Sequence, residues 1–268
     1  MDLKKIRLFL FDMDGTLYLG DRLFSFTRPL LDAIRQAGKT YLFMTNNSSK
    51  SVGDYVKKLE RLGIPAAYDD FITSSQATAD YLTANHPKVK FYVCGTRSFK
   101  EELSGAGVLV CDAYAEDIGG VVMGYDTELT YQKLDDVSRL LTLRDIPYIA
   151  ANPDLVCPTE YGYVPDCGSV CGMIYNATGK RPHYIGKPRP EMPLAAVARI
   201  AKRDAGVCPD TTLVVGDRLY TDIACAVAAG IHSLLVLSGE STLSDVEKSE
   251  VKPELILRDC ADLLEKIQ

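Results

Sequence analysis

Leu8-Phe9-Leu10-Phe11 is an apolar run too short for a helix, and it stops abruptly at Asp12-Met13-Asp14-Gly15. A run of this kind predicts a strand buried on both faces of a parallel sheet. The design recurs. Apolar runs at Lys39–Met44, Phe71–Ile72, Thr212–Gly216 and Ser233–Leu237 alternate with helical patterns at Pro29–Ala37, Ser51–Leu62, Ser74–Ala84, Glu191–Arg203 and Thr221–Ala229. Glu254–Leu257 and a closing helix, Ala261–Ile267, complete the series. Strand and helix in strict alternation predict an α/β fold, a doubly wound Rossmann-like parallel sheet with right-handed crossovers.

The middle of the chain interrupts this series and starts another. Asn85-His86-Pro87 breaks the pattern, and from Val89 come strands at Lys90–Cys94, Val108–Cys111, Gly120–Tyr125 and Tyr148–Ala151. Helices are predicted at Ser98–Leu103 and Tyr131–Leu143. A polar stretch rich in Pro and Gly runs from Asn152 to Asp166, a helix follows over Gly168–Ala177, and Gly179–Pro182 reads as a hinge. The expected organisation is a discontinuous core, residues 1–84 and 184–268, holding a smaller α/β domain at 85–183. Both pieces fall in the usual size range for domains.

Composition narrows the function classes. The 268 residues are 47% hydrophobic and 25% charged, ordinary values for a chain with a real core. A net charge of −6 lacks the basic footprint of a nucleic-acid or membrane-surface protein. No apolar run approaches the ~20 residues of a membrane span. The eight cysteines form no C-x-x-C pair, and three histidines are too few to build zinc sites with them, so they read as small buried hydrophobes in a reducing cytosol. Met1-Asp2-Leu3-Lys4-Lys5 leads straight into the first strand, and the expected location is cytoplasmic. Gly179-Lys180 fails as a phosphate loop because Arg181 follows the lysine, and no G-x-G-x-x-G opens a helix after the first strand.

Four strand ends of the outer series carry polar groups: Asp12 with Asp14, Thr45 with Asn46, Lys187, and Asp217 with Asp222. Each alone has an ordinary explanation in turns, helix caps or dipole-complementing acids. Their joint placement, each just past an apolar run, puts them where open α/β sheets bind ligands. Asp12 and Asp14, two apart in an extended segment, can point into one small site.

The chemistry this set permits is phosphoryl transfer to a carboxylate. Asp12 would attack phosphorus, and Asp14, in an environment that lifts its pKa, would protonate the leaving oxygen and later deprotonate water. Mg²⁺ would be held by Asp12, the Asp14 main-chain carbonyl and Asp217, with Asp222 reaching one of its waters. Thr45, the Asn46 backbone N–H and Lys187 would bind phosphoryl oxygens.

The segments Asp-Met-Asp-Gly-Thr (12–16), a strand ending in Thr45, Gly-Lys-Pro-Arg-Pro (186–190) and Gly-Asp-Arg-Leu-Tyr-Thr-Asp-Ile (216–223) resemble the haloacid dehalogenase (HAD) superfamily of phosphatases. The insert between the threonine and lysine segments has the length and position of that superfamily's large α/β cap. Thr-Asn-Asn and Gly-Asp-Arg-Leu-x-Thr-Asp are similar to the NagD/p-nitrophenylphosphatase branch. The resemblance spans essentially the whole chain and implies the same roles: Asp12 nucleophile, Asp14 acid/base, Thr45 and Lys187 phosphate ligands, Asp217 metal ligand. It implies Mg²⁺ as cofactor and a small phosphorylated metabolite as partner. A homodimer formed through the cap is compatible with it. In similar caps a loop after a central strand reads the leaving group, and the matching segment is Asn152-Pro153-Asp154, with Tyr161 and Tyr163 nearby. Two other readings use the same residues. One is a phosphomutase or phosphotransferase on this scaffold; the other is a receiver-like module that stores phosphate on an aspartate.

Overall fold

The structure, a computed structural model, describes residues 1–49, 51–159 and 161–267. Two compact units divide the chain. One comprises Met1–Thr45, Asp54–Ile72 and Lys187–Gln268; the other comprises Asn46–Gly53 and Thr73–Gly186. The helix Ser74–Asn85, expected in the core, groups with the second unit, where it packs on the helix Arg97–Gly105.

The first unit is built on a six-stranded sheet in the order Leu255–Leu257, His232–Val236, Thr212–Gly216, Leu8–Phe11, Thr40–Thr45, Phe71–Thr73, and its described pairings are parallel. Leu8 to Phe11 are all fully buried, as the unbroken apolar run requires of a strand covered on both faces. Helix Thr27–Gln36 turns Leu30, Leu31 and Ile34 inward at helical spacing and packs against Cys260–Ile267. Three features went unread in the sequence. Tyr18–Leu19 and Arg22–Leu23 pair as a small antiparallel hairpin, Leu243–Lys248 is a short helix, and Leu219–Ile223 is a π-turn ahead of Ala224–Ala229, where one α-helix was expected.

The second unit has its own five-stranded parallel sheet, ordered His183–Tyr184, Tyr148–Ala150, Gly120–Met123, Lys90–Cys94, Leu109–Cys111. His183–Tyr184 therefore belongs to this sheet, and the return to the first unit comes at Lys187. A separate core gathers Tyr92, Val121, Met123, Val137, Leu140 and Ile174. The helix Ser74–Asn85 starts at a reciprocal cap in which Gln76 N donates to Thr73 Oγ1 and Thr73 N donates to Gln76 Oε1. The polar stretch after Ala151 is not structureless: Val156–Thr159 and Gly162–Pro165 form an antiparallel hairpin. Gly179, read as a hinge, ends the helix Cys167–Thr178 in the left-handed conformation.

Candidate active site

The site lies within the first unit, at the carboxyl ends of its central strands. Phe11 pairs with Val215 on one side and Phe43 on the other, so Asp12 comes level with Gly216 and with Met44. Asp12 N donates to Val215 O at 2.8 Å, which fixes its backbone against the neighbouring strand. Asp217 then follows Gly216 by one residue and Thr45 follows Met44 by one, which brings three strand tips to one edge of the sheet.

Lys187 closes the site. Its Nζ donates to Asp12 Oδ1 at 2.7 Å and to Asp222 Oδ1 at 2.6 Å, with Met44 O at 3.5 Å. Only 4% of its side chain is exposed. Burial works against the ammonium, but Asp12 and Asp222 hold its pKa above the ordinary lysine value. Lys187, expected at phosphate from the sequence, here bridges two carboxylates and offsets the repulsion between them.

Oxygens of Asp12, Asp217 and Asp222 can all lie within 4.8 Å of one another. Burial pushes Asp12 up to about 8, against the lowering pull of Lys187, and the neighbouring Asp222 and Asp217 push the same way. Burial also pushes Asp217 up to about 6, followed by the charge of Asp222. The carboxylates crowd more negative charge together than one ammonium offsets. Asp217 Oδ1 is buried and accepts no hydrogen bond, whereas its Oδ2 accepts Glu240 N at 2.7 Å. Asp222, fully buried, has both oxygens engaged, by Lys187 and by Arg218 N at 3.1 Å. An orphaned buried carboxylate oxygen inside an all-oxygen cluster of excess negative charge fits a hard divalent cation, Mg²⁺.

Local backbone makes the crowding possible. Gly15 has φ +90°, and a Cβ there would lie 2.5 Å from Asp217 Oδ2. A Cβ on Gly216 would overlap Asp222.

The other expected residues fall as follows. Asp14 is exposed, and its Oδ1 accepts Gly20 N at 3.2 Å. Thr45 is half-buried at the strand end. Asn46 belongs to the second unit, where its Nδ2 donates to Asp154 Oδ2 at 3.0 Å. Asn152, expected at a leaving group, is fully buried instead, and its Nδ2 donates to Asn46 O at 2.7 Å. That amide is spent inside its own unit. Tyr161 and Tyr163 are exposed, on and beside the hairpin.

Two parts of the site went unread in the sequence. Arg218 pairs with Glu240 at 2.9 Å, and burial disfavours its guanidinium less than Asp12 and its other acidic neighbours favour it. The turn Ser238–Ser241 contacts Asp217 directly.

Comparisons with known proteins agree with this geometry. A haloacid dehalogenase-like hydrolase family model matches residues 9–109, and a second, HAD-hydrolase-like, matches 184–263. The acid sugar phosphatase of Staphylococcus aureus (strain MRSA252) is 30% identical over 266 residues, 99% of this chain and 100% of its own. The 4-nitrophenylphosphatase of Thermotoga maritima superposes with a TM-score of 0.91 at 36% identity, covering 100% of both chains. The glycerol phosphate phosphatase of Mycobacterium tuberculosis, solved in complex with magnesium, gives a TM-score of 0.88 at 30% identity, covering 99% of this chain and 78% of that one. The chain belongs to the haloacid dehalogenase-like hydrolase family, in its branch of NagD-like phosphatases.

Proposed function

We propose that this chain hydrolyses small phosphate monoesters, sugar and aryl phosphates among them, by passing the phosphoryl group through Asp12. The observation that carries the reading is the meeting of Asp12, Asp217, Asp222 and Lys187, from separate segments, at one edge of the sheet. Sugar and aryl phosphates are the substrates named in its relatives.

Asp12 attacks phosphorus with one carboxylate oxygen, and the bond from phosphorus to the ester oxygen breaks. Asp14 gives that oxygen its proton. Water then attacks the phosphorus of the aspartyl-phosphate, Asp14 takes a proton from it, and the Asp12–phosphorus bond breaks to release inorganic phosphate. Lys187 and the Thr45 hydroxyl bind the phosphoryl oxygens as their charge redistributes. Asp12, the Asp14 main-chain carbonyl and the buried Oδ1 of Asp217 would hold Mg²⁺, with Asp222 reaching it through water, and the ion would offset the negative charge of the carboxylates and phosphate. The engaged oxygens of Asp222 support that outer place, and the orphaned oxygen of Asp217 supports a direct one.

The test is turnover of p-nitrophenyl phosphate and a panel of sugar phosphates with Mg²⁺, for the wild type and Asp14→Asn. Sustained turnover, abolished by chelation and slowed about 10²-fold or more in Asp14→Asn, is expected. A stable phosphoprotein without turnover would instead favour a receiver-like module, and isomerised sugar phosphate a mutase.

All eight cysteines are free thiols, which supports a reducing, cytoplasmic location. Among the described residues no helix is long and apolar enough to cross a membrane. Leu155, Val156 and Tyr163 stand exposed about the hairpin of the second unit, which supports pairing of two copies there; sedimentation as a monomer would end that part of the reading.

A further inference from the structure

We propose that the turn Ser238–Ser241 is a positioning device for the metal site, setting which oxygen of Asp217 is free for the cation. The inference rests on the reading of Asp12 and Asp217 as metal ligands and adds residues that reading does not use.

The turn follows the strand His232–Val236, whose neighbour Thr212–Gly216 ends at Asp217. Three backbone and side-chain contacts clamp Asp217 and its surroundings. Glu240 N donates to Asp217 Oδ2 at 2.7 Å, Ser241 N donates to Asp217 O at 3.1 Å, and Leu219 N donates to Ser241 Oγ at 3.1 Å. A carboxylate gripped at one oxygen and at its own main chain has little freedom to rotate. Its other oxygen, Oδ1, is thereby left buried and unpaired.

The turn also reaches the nucleophile segment. Ser238 Oγ donates to Gly15 O at 2.7 Å, next to Asp14, whose carbonyl is assigned to the cation. One four-residue turn therefore ties the Asp12–Gly15 segment and Asp217 into a common frame. Glu240 is itself held on the outside, by Arg218 Nε at 2.9 Å and by the Tyr220 hydroxyl at 2.9 Å. Gly239 lies against Asp217 so closely that a Cβ there would overlap Oδ2, so any side chain at 239 would push the carboxylate out of its place. Groups that orient ligands without touching the ion govern its affinity.

The experiment is a titration of the metal-free protein with Mn²⁺, reading the electron paramagnetic resonance of the unbound ion, so that no catalysis is involved. Circular dichroism establishes that each variant is folded. Ser238→Ala should weaken Mn²⁺ binding about 10-fold, Ser238→Thr should restore it, and Gly239→Ala should weaken it about 100-fold, in the range for residues that orient a ligand. If Gly239→Ala does not fold, the Ser238 pair decides. Wild-type Mn²⁺ affinity in Ser238→Ala, or failure of Ser238→Thr to recover binding, would overturn the inference while Asp217→Asn still lost the ion. A wild-type protein that binds no Mn²⁺ would overturn the metal-site reading itself, and the inference with it.

Discussion

Lys187 Nζ lies 2.7 Å from Asp12 Oδ1 although 175 residues separate the two in sequence. The same ammonium is 2.6 Å from Asp222, which is fully buried, while Asp12 is part-buried at the strand tip. A buried cation between two carboxylates balances their charge. Breaking it leaves like charges facing one another away from water.

Lys187→Met keeps the length of the side chain and removes the charge. Turnover of p-nitrophenyl phosphate should fall about 10²–10³-fold, the worth of a donor aimed at developing negative charge. The metal-free variant should also lose about 3–5 kcal/mol of stability, the usual cost of stripping one partner from a buried ion pair. Thermal unfolding with and without Mg²⁺ checks this: the cation should recover part of the loss. Unchanged stability in the metal-free variant would mean that Lys187 does not carry the charge balance described.

The raised carboxyls predict how stability depends on pH. Without metal, folded Asp12 keeps its proton up to about 8 and Asp217 up to about 6, while both release it near 3.8 when unfolded. The folded state therefore binds more protons than the unfolded state across that window, and these two groups stabilise it less as pH rises through it. Asp217 has finished by about pH 6 and Asp12 by about pH 8. A cation held by these carboxylates would take the place of those protons, so the gain in unfolding temperature on adding Mg²⁺ should grow from pH 5 to about 8 and then level off. A gain independent of pH would show that neither carboxyl is protonated in the metal-free site.

Much of this site was legible because each member ends an apolar run. The tips at Asp12, Thr45 and Asp217 need only the rule that parallel strands deliver their carboxyl ends to one edge. Ser238-Gly239-Glu240-Ser241 follows a strand in the same way, but Ser, Gly and Glu there are ordinary turn residues, and nothing local says that backbone N–H groups rather than side chains do the gripping. The π-turn at Leu219–Ile223 was invisible for a related reason: its composition suits an α-helix, and no local residue marks the wider winding. The hairpin at Val156–Thr159 and Gly162–Pro165 hid in a stretch whose Pro and Gly residues read as loop. Asn152 shows the opposite case, a polar residue in a polar stretch that is nevertheless fully buried because its amide has a partner in Asn46.

Asn152→Ala should accordingly act through structure. It removes one of two donors to the buried Asn46 carbonyl, leaving Ser74 Oγ at 2.6 Å, at a cost of about 0.5–1.5 kcal/mol. A lowered unfolding temperature, with activity reduced to a similar degree on every phosphate ester, is the expected result. A stable variant whose preference among substrates shifts would instead return Asn152 to the leaving group.

The most direct test of the whole account is to mix the enzyme with p-nitrophenyl phosphate and Mg²⁺, quench in acid during turnover, and locate the phosphoryl group by peptide mass spectrometry. The account predicts one phosphoryl group on Asp12, and neither adduct nor turnover in Asp12→Asn. Turnover that survives in Asp12→Asn, or a phosphoryl group carried on any other residue, would contradict it.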